Sequence, residues 1–365
     1  MYALEVQPQR RMAVKKRSCG SAVVTVGVDL GDRRSRLCVL DGAGEVLEEG
    51  SIATSPKAFE EKFGQMTSSR VVIEAGTHSN WVHDVLVAGG HEVIVANTRQ
   101  LRAVTANVRK SDEVDARLLA KLGRSDLGLI QTVRVKPQQA RLDLGVLRAR
   151  AALVAMRTAL CNTVRGLSKT AGYALLSTSS ARAHKQTLHA SLKHSVAPLL
   201  GVLEQISKVI DEYDREIDRL CASRYPQALA LQQISGVGPV TSLYFVLTIG
   251  DRERFKHARD VGAYFGLVPR RAQSGERDPQ LRISKSGDRM GRALLVQCAH
   301  YILGPFGPDT DLRRFGRKLV ERGGRSARKR AIVAIARKLA VLLFALLRSG
   351  EVYEPLRNSA KSMAS

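Results

Sequence analysis

The chain has 365 residues, 44% of them hydrophobic, which suffices for two or three domains with cores of their own and excludes a disordered polymer. Lys and Arg number 58 against 34 Asp and Glu, a formal charge of +24. An excess of that size is out of place in an enzyme of small metabolites and implies a polyanionic partner, nucleic acid ahead of an anionic membrane surface.

In chain order, residues 1–22 open with MYALEVQPQRRMAVKKRSCG, which is basic but lacks the apolar stretch and cleavage site of a secretion signal. They read as an arm whose Lys and Arg either touch a phosphate backbone or stand solvated. Residues 23–136 read as α/β. VVTVGVD is a β-branched strand ending in Asp29, and RLCVLDGAGEVLEEGSIA reads as two strands about an Asp-Gly-Ala-Gly turn. SPKAFEEKFGQM is a helix with Ser55 as N-cap and Pro56 at its first position. RVVIEAG is a buried strand ending in Glu74, NWVHDVLVAGG a helix closed by glycines, and HEVIVAN a further strand. The order β-β-β-α-β-α-β is that of a ribonuclease-H-like sheet. It is not a dinucleotide-binding order, for no G-x-G-x-x-G follows the first strand.

Residues 137–224 are helical. Leu142, Val146, Ala149, Leu153, Met156, Leu160, Thr163 and Leu167 step by 4 and 3, as do Leu199, Leu203, Ile206, Ile210, Tyr213, Ile217 and Leu220. Two such seams predict an antiparallel coiled-coil hairpin, with intermolecular pairing as the alternative. Residues 225–350 form a mainly α unit. Its LQQISGVGPVTSLYFVLTIGD has a Gly-x-Gly-Pro turn, which either brings backbone N–H groups to a phosphate, as a helix-hairpin-helix does, or is a plain tight turn. Residues 251–350 hold 23 Lys and Arg against 9 Asp and Glu, so this unit is where a polyanion is expected. Residues 351–365 are a tail. No run reaches the roughly 18 uninterrupted apolar residues of a spanning helix. Cys19, Cys38, Cys161, Cys221 and Cys298 form no CxxC pair and have no zinc-ligand spacing with His, which fits a reduced, cytosolic protein.

Four carboxylates carry the chemistry. Asp29 and Glu74 end strands that are neighbours in such a sheet, so both side chains converge at one edge. Asp112 and Asp115, in KSDEVDARLLAKL, lie three residues apart on one face of a helix, with Glu113 directed elsewhere. Taken alone, Asp112 also reads as a helix cap and Asp115 as the partner of a neighbouring Arg. Glu74 follows a run that should be buried, where an unpaired carboxylate is costly. Converging carboxylates require cations, and the hard Mg²⁺ ion prefers oxygen ligands. Asp32 is the rival for a ligand position.

A second constellation surrounds Ser274 in RRAQSGERDPQLRISKSGDR. Arg270, Arg271, Arg277, Arg282 and Lys285 lie about it, and Arg289 and Arg292 follow, a composition suited to binding phosphates. Composition alone leaves two readings open, a phosphate-binding loop and a nucleophilic serine, with Ser284 and Ser286 as competing serines.

VGVDLG, VVIEAG, KSDEVDA, ISGVGP and YFGLVPRRAQSG…RISKSGDRMGRALL, in this order, resemble the DEDD insertion-sequence transposases of the IS one-ten group over residues 23 to 350. The resemblance implies a RuvC-like catalytic domain, a coiled-coil segment and a C-terminal transposase domain. It maps that family's four acids onto Asp29, Glu74, Asp112 and Asp115, and its serine nucleophile onto Ser274. It further implies Mg²⁺ on the acids, a phosphoserine link to DNA, donor and target DNA chosen by a structured bridge RNA, a dimer or tetramer, and a bacterial cytoplasmic, nucleoid-associated site of action. This chain has Ser111 where members commonly have Thr, and Gln273 where many have a second serine. A RuvC-like junction endonuclease using water, and a non-enzymatic scaffold with a degenerate nuclease domain, are the competing readings.

Overall fold

The computed structural model describes residues 24–97, 112–124, 132–173, 189–275, 277, 279 and 281–357, with the side chain of Asp112 excepted. The basic arm, Ser111, residues 174–188 and residues 358–365 therefore lie outside the described residues. Two compact units are present, residues 1–135 and 136–365. The charge is divided unevenly between them: 39 of the 58 Lys and Arg, but only 18 of the 34 Asp and Glu, fall in the second.

The first unit is built on a five-stranded sheet of β1 (Thr25–Asp29), β2 (Arg34–Leu40), β3 (Val46–Ala53), β4 (Arg70–Glu74) and β5 (Glu92–Ala96), ordered β3-β2-β1-β4-β5. β1 pairs antiparallel with β2, and β2 with β3 through the Asp41 turn, while β1, β4 and β5 run parallel. The Asp41 carboxylate explains that turn: it accepts from the backbone N–H groups of Ala43, Gly44 and Glu45 at 2.7–2.9 Å. The expected order of elements is the one found, with α1 (Pro56–Gly64) and α2 (Ser79–Ala88) between the later strands. Ser55 caps α1 through a bond from Ala58 N at 3.4 Å.

Side chains alternate across a strand. Val26, Val28, Val71 and Ile73 face α1 and α2, where Phe59, Phe63, Val82 and Leu86 complete a fully buried core. The opposite face of the sheet is covered by α3 (Asp112–Arg124).

The second unit begins with α4 (Gln138–Thr170) and α5 (Lys193–Ser223), packed antiparallel. The end of α4 meets the start of α5 around Val164, Val196, Leu200 and Leu203, and Leu144 and Leu147 share a core with Ile217 and Leu220 at the other end. The α5 seam runs as expected, except that Leu199 and Tyr213 are only half-buried, Leu199 beside buried Leu200. The α4 seam is one residue out of phase with the expectation. Leu142, Met156 and Leu167 are exposed, whereas Asp143, Leu147, Val164 and Ser168 are buried. Ion pairs rotate the helix. Asp143 accepts from Arg224 and Tyr225 at 2.7–2.8 Å, and Arg150 reaches Asp214 at 2.5 Å. Burial alone would raise the Asp143 pKa, but the bonds from Arg224, Tyr225 and Gln139 outweigh it and hold the carboxyl below its ordinary value.

The remaining helices are α6 (Pro226–Leu231), α7 (Pro239–Ile249), α8 (Asp260–Tyr264), α9 (Arg289–Leu303), α10 (Asp311–Glu321) and α11 (Ala327–Ser349). α7 is buried from Thr241 to Ile249 and forms the axis of the core, with α9 and α11 around it. The Gly-x-Gly-Pro turn is a packing device here. Gly236 has φ +92°, and a Cβ there would meet the Tyr301 ring at 2.7 Å, while Val237 is itself part of the core. Among the described residues, no helix is long and apolar enough to cross a membrane.

Candidate functional site

The register of the sheet positions two of the four acids. Val28 stands opposite Ile73 in the parallel β1–β4 pair, so the same offset sets Asp29 beside Glu74 at the C-terminal ends of the two strands. Both share the strand face of Gly27 and Val72, the face that α3 covers, and both are half-buried.

α3 is placed by small residues. A Cβ on Gly27 would lie 2.1 Å from Ala116 O and 2.3 Å from Ala120 N, and one on Gly123 would meet Val72 Cγ2 and Thr25 Cγ2 at 2.6 and 2.7 Å. The helix therefore lies almost backbone-on-backbone over β1. Gly123 sits over the start of β1 and β4 and Ala116 over the middle of β1, so the first turn of α3 extends toward the strand ends that carry Asp29 and Glu74. Position 112 is one turn before Ala116 on the face that meets β1. Half-buried Asp115 is one turn before Leu119, which packs with Leu122 on Val72, Ile94 and Ala96. Glu113 is exposed and reaches Arg36 on β2 at 3.6 Å, the residue opposite Asp29 in the β1–β2 register. Gly27→Ala is accordingly expected to cost about 3 kcal/mol, because the added methyl meets backbone atoms that cannot rotate away. Urea unfolding of residues 24–135 in the full chain measures it, and no loss of midpoint would contradict this placement of α3.

Asp32 departs from the role of rival ligand. Its carboxylate is 99% exposed, and its Oδ1 lies 3.4 Å from His78 Nε2. Trp81 Nε1 donates to His78 Nδ1 at 3.1 Å, which leaves the His78 proton on Nε2, facing Asp32. Asp29, Glu74 and Asp115 each supply carboxylate oxygens, the donor type that a hard divalent cation prefers. Among the described residues, no three His, Cys, Asp or Glu side chains are grouped closely enough to hold a metal by themselves.

In the second unit Ser274 occupies the tip of a hairpin. Ser284 N donates to Val268 O at 2.8 Å and Arg270 N to Arg282 O at 2.9 Å, and Ser274 and Arg277 exchange two backbone bonds of 3.1 Å about Gly275, whose φ is +57°. Ser274 is exposed, as are Arg270, Arg271, Arg277, Arg282, Lys285 and Arg289. The guanidinium of half-buried Arg292 is engaged by Phe265 O at 2.9 Å. The feet of the hairpin cross tightly. A Cβ on Gly266 would lie 2.1 Å from Ser286 O, and one on Gly287 would lie 2.1 Å from Tyr264 O. Asp288 then caps α9 by accepting from Gly291 N at 2.5 Å.

An open groove of about 2020 Å³ runs between α10 and α11 up to the base of this hairpin. Its floor includes Phe315, Val333 and Leu342, and exposed Arg317, Lys318, Lys329 and Arg337 line it. The sequence reading singled out neither these cations nor Asp288. The signals were present, as a basic stripe in LRRFGRKLVERGGRSARKR and as an Asp directly before a helix.

Comparison with known proteins gives this geometry a lineage. A DEDD transposase family model matches residues 26–171, and a model of the "Transposase IS116/IS110/IS902 family" matches residues 228–310. The chain carries the transposase domains of this insertion-sequence family. The chain is 28% identical to the transposase for insertion sequence element IS1111A of Coxiella burnetii, over 95% of this chain and 96% of the relative. It is 29% identical to a probable family 20 transposase of Pseudomonas aeruginosa, over 80% of this chain and 88% of that one. A pilin gene-inverting protein of Moraxella lacunata is 30% identical over 35% of this chain and 39% of its own length. The transposase is thus an enzyme of DNA recombination.

Proposed function

We propose that the transposase cuts and rejoins DNA by covalent catalysis at Ser274, with a ribonuclease-H-like, RuvC-type unit holding Mg²⁺ on Asp29, Glu74, Asp112 and Asp115. The observation that carries the reading is the register that sets Asp29 beside Glu74 at the edge toward which the first turn of α3 extends. Mg²⁺ bound there would stabilise charge on the oxygens of a phosphodiester in transfer. The chain's own part is to fix four carboxylates at one edge and to present a serine hydroxyl on a cationic hairpin. Serine Oγ forms a bond to phosphorus as one phosphorus–sugar oxygen bond breaks, and the proton lost by the hydroxyl is balanced by the one the leaving oxygen gains.

The cationic second unit holds the nucleic acid, in this reading donor and target DNA and a structured bridge RNA. It acts in a dimer or tetramer on nucleoid DNA in a bacterial cytoplasm, the serine and the acids coming from one subunit or from two. The domain plan follows: an arm (1–22), the nuclease domain (23–136), a coiled-coil-like hairpin (137–224), the serine domain (225–350) and a tail (351–365). Arg270, Arg271, Arg277, Arg282, Lys285, Arg289 and Arg292 serve the phosphates about Ser274, and the α10–α11 groove extends that surface. Replacing Arg317, Lys318 and Arg337 together by Gln is expected to make the plot of log affinity against log salt shallower by about 2 to 3, the loss of three phosphate contacts. An unchanged slope would remove the groove from the interface.

Ser274 stands exposed at a tip where the described hairpin residues include no general base, and this favours a second reading, RuvC-like junction cleavage with water as nucleophile. Incubating the transposase with DNA of its element ends and Mg²⁺, then denaturing it, separates the two. Covalent catalysis leaves DNA on the protein, whereas water leaves none.

A further inference from the structure

Tyr244 is a polar residue in an otherwise apolar stretch of α7. It is 2% exposed, and its hydroxyl donates to both oxygens of Asp288, at 2.9 Å each. Burial first and the Asp288 charge second push that hydroxyl above its ordinary range, so it stays protonated and remains a donor. Asp288 in turn receives Gly291 N and follows directly on Gly287, which is pressed against Tyr264 O. Lys285 has φ +54° and is the non-glycine residue with positive φ among the described residues. Its N–H donates to Gly266 O at 3.1 Å, and Arg292 Nη1 donates to Phe265 O one residue earlier. Both feet of the Ser274 hairpin are thus tied at one place, and the tie reaches the buried axis of the unit through the Tyr244 phenol beside the stacking of Phe265 on Phe245 of α7.

We propose that Tyr244, acting through Asp288, is a positioning residue for Ser274. The proposal rests on Ser274 being the nucleophile. Its physical content is leverage. Gly266 and Ser274 are eight residues apart on an arm bridged at Pro269–Ile283 and Ser274–Arg277, a span of up to about 26 Å when extended, so a tilt of about 5° at the foot carries the tip by up to about 2 Å. A reacting group displaced by about 1 Å can lose on the order of a hundredfold in rate. The strained Lys285 backbone persists because its surroundings over-determine it, and the Tyr244–Asp288 bond is part of what does so.

The experiment compares Tyr244→Phe, Asp288→Asn and Leu220→Ala in the full chain. Leu220→Ala opens a cavity in the same core, on α5, and serves as the control for lost stability. For Tyr244→Phe the single-turnover rate of protein–DNA adduct formation is expected to fall by about 10- to 100-fold, while the DNA concentration giving half the maximal rate changes by less than about twofold. Asp288→Asn keeps an N-cap and an acceptor for the phenol, and is expected to retain more of the rate than Tyr244→Phe. Leu220→Ala is expected to lower the melting temperature at least as much while keeping the rate. Equal loss of rate in Tyr244→Phe and Leu220→Ala at matched melting temperature would overturn the proposal, as would a Tyr244→Phe effect confined to half-saturation. Ser274→Ala, run alongside, tests the premise: adduct persisting there would overturn the serine reading itself, whatever Tyr244→Phe does.

Discussion

Ser274→Ala is expected to abolish the covalent protein–DNA adduct, lowering its rate of formation by on the order of 10³-fold or more, as loss of a nucleophile does. DNA affinity should stay within about twofold, because the exposed hydroxyl at position 274 contributes little beside the cations around it. The measurement is denaturing electrophoresis of protein mixed with labelled element-end DNA and Mg²⁺. The competing serines are separated from Ser274 by place. Ser284 lies in the paired arm and accepts from Ser286 N at 3.3 Å, and Ser286 lies at the tight crossing of the feet. Neither is at the tip, so Ser284→Ala and Ser286→Ala should leave adduct formation largely intact. Adduct surviving in Ser274→Ala, with cleavage unchanged, would favour water as the nucleophile.

The second large effect is expected at the sheet edge. Asp29→Asn, Glu74→Gln and Asp115→Asn each remove one negative charge from the donor set. Each should lower cleavage by about 10²- to 10³-fold, the usual size of a lost electrostatic contact at a reacting phosphate or carbonyl. Each should also raise the Mg²⁺ concentration needed for half-maximal cleavage, since hard cations follow ligand charge. Glu113→Gln is the internal control: Glu113 is exposed and paired with Arg36, and its loss should do little. Strand cutting left intact by Asn at position 29 or 115 would count against Mg²⁺ held on these carboxylates.

The sheet was legible because its strands announce themselves twice, by β-branched runs and by what ends them. Asp29 and Glu74 terminate such runs, and equal distance from the start of paired parallel strands set them side by side. The docking of α3 was not legible. Gly27, Ala116, Ala120 and Gly123 look unremarkable one at a time, and only their coincidence in space shows how close the helix lies. The phase of α4 was misread for a related reason. Counting apolar positions assumes that charge faces water, yet Asp143 and Arg150 turn inward because Arg224, Tyr225 and Asp214 meet them. Along α5 the inward positions are mostly apolar, and there the count came out right. The groove escaped because its walls come from three separated segments, no one of which is concave by itself.

The contact of α3 with β1 also acts as a ruler. Long side chains between a helix and a sheet form a compliant spacer, since they can change rotamer and let the two layers drift. Here carbonyl and amide atoms of Ala116 and Ala120 stand where Gly27 has no side chain, so the spacer has been taken out. The distance from the strand-borne pair of acids to the helix-borne pair is then set by main chain against main chain. Sliding α3 by a turn would bring larger side chains over Gly27 and lift the helix, so the interval has one permitted value. It is cut to length when the domain folds.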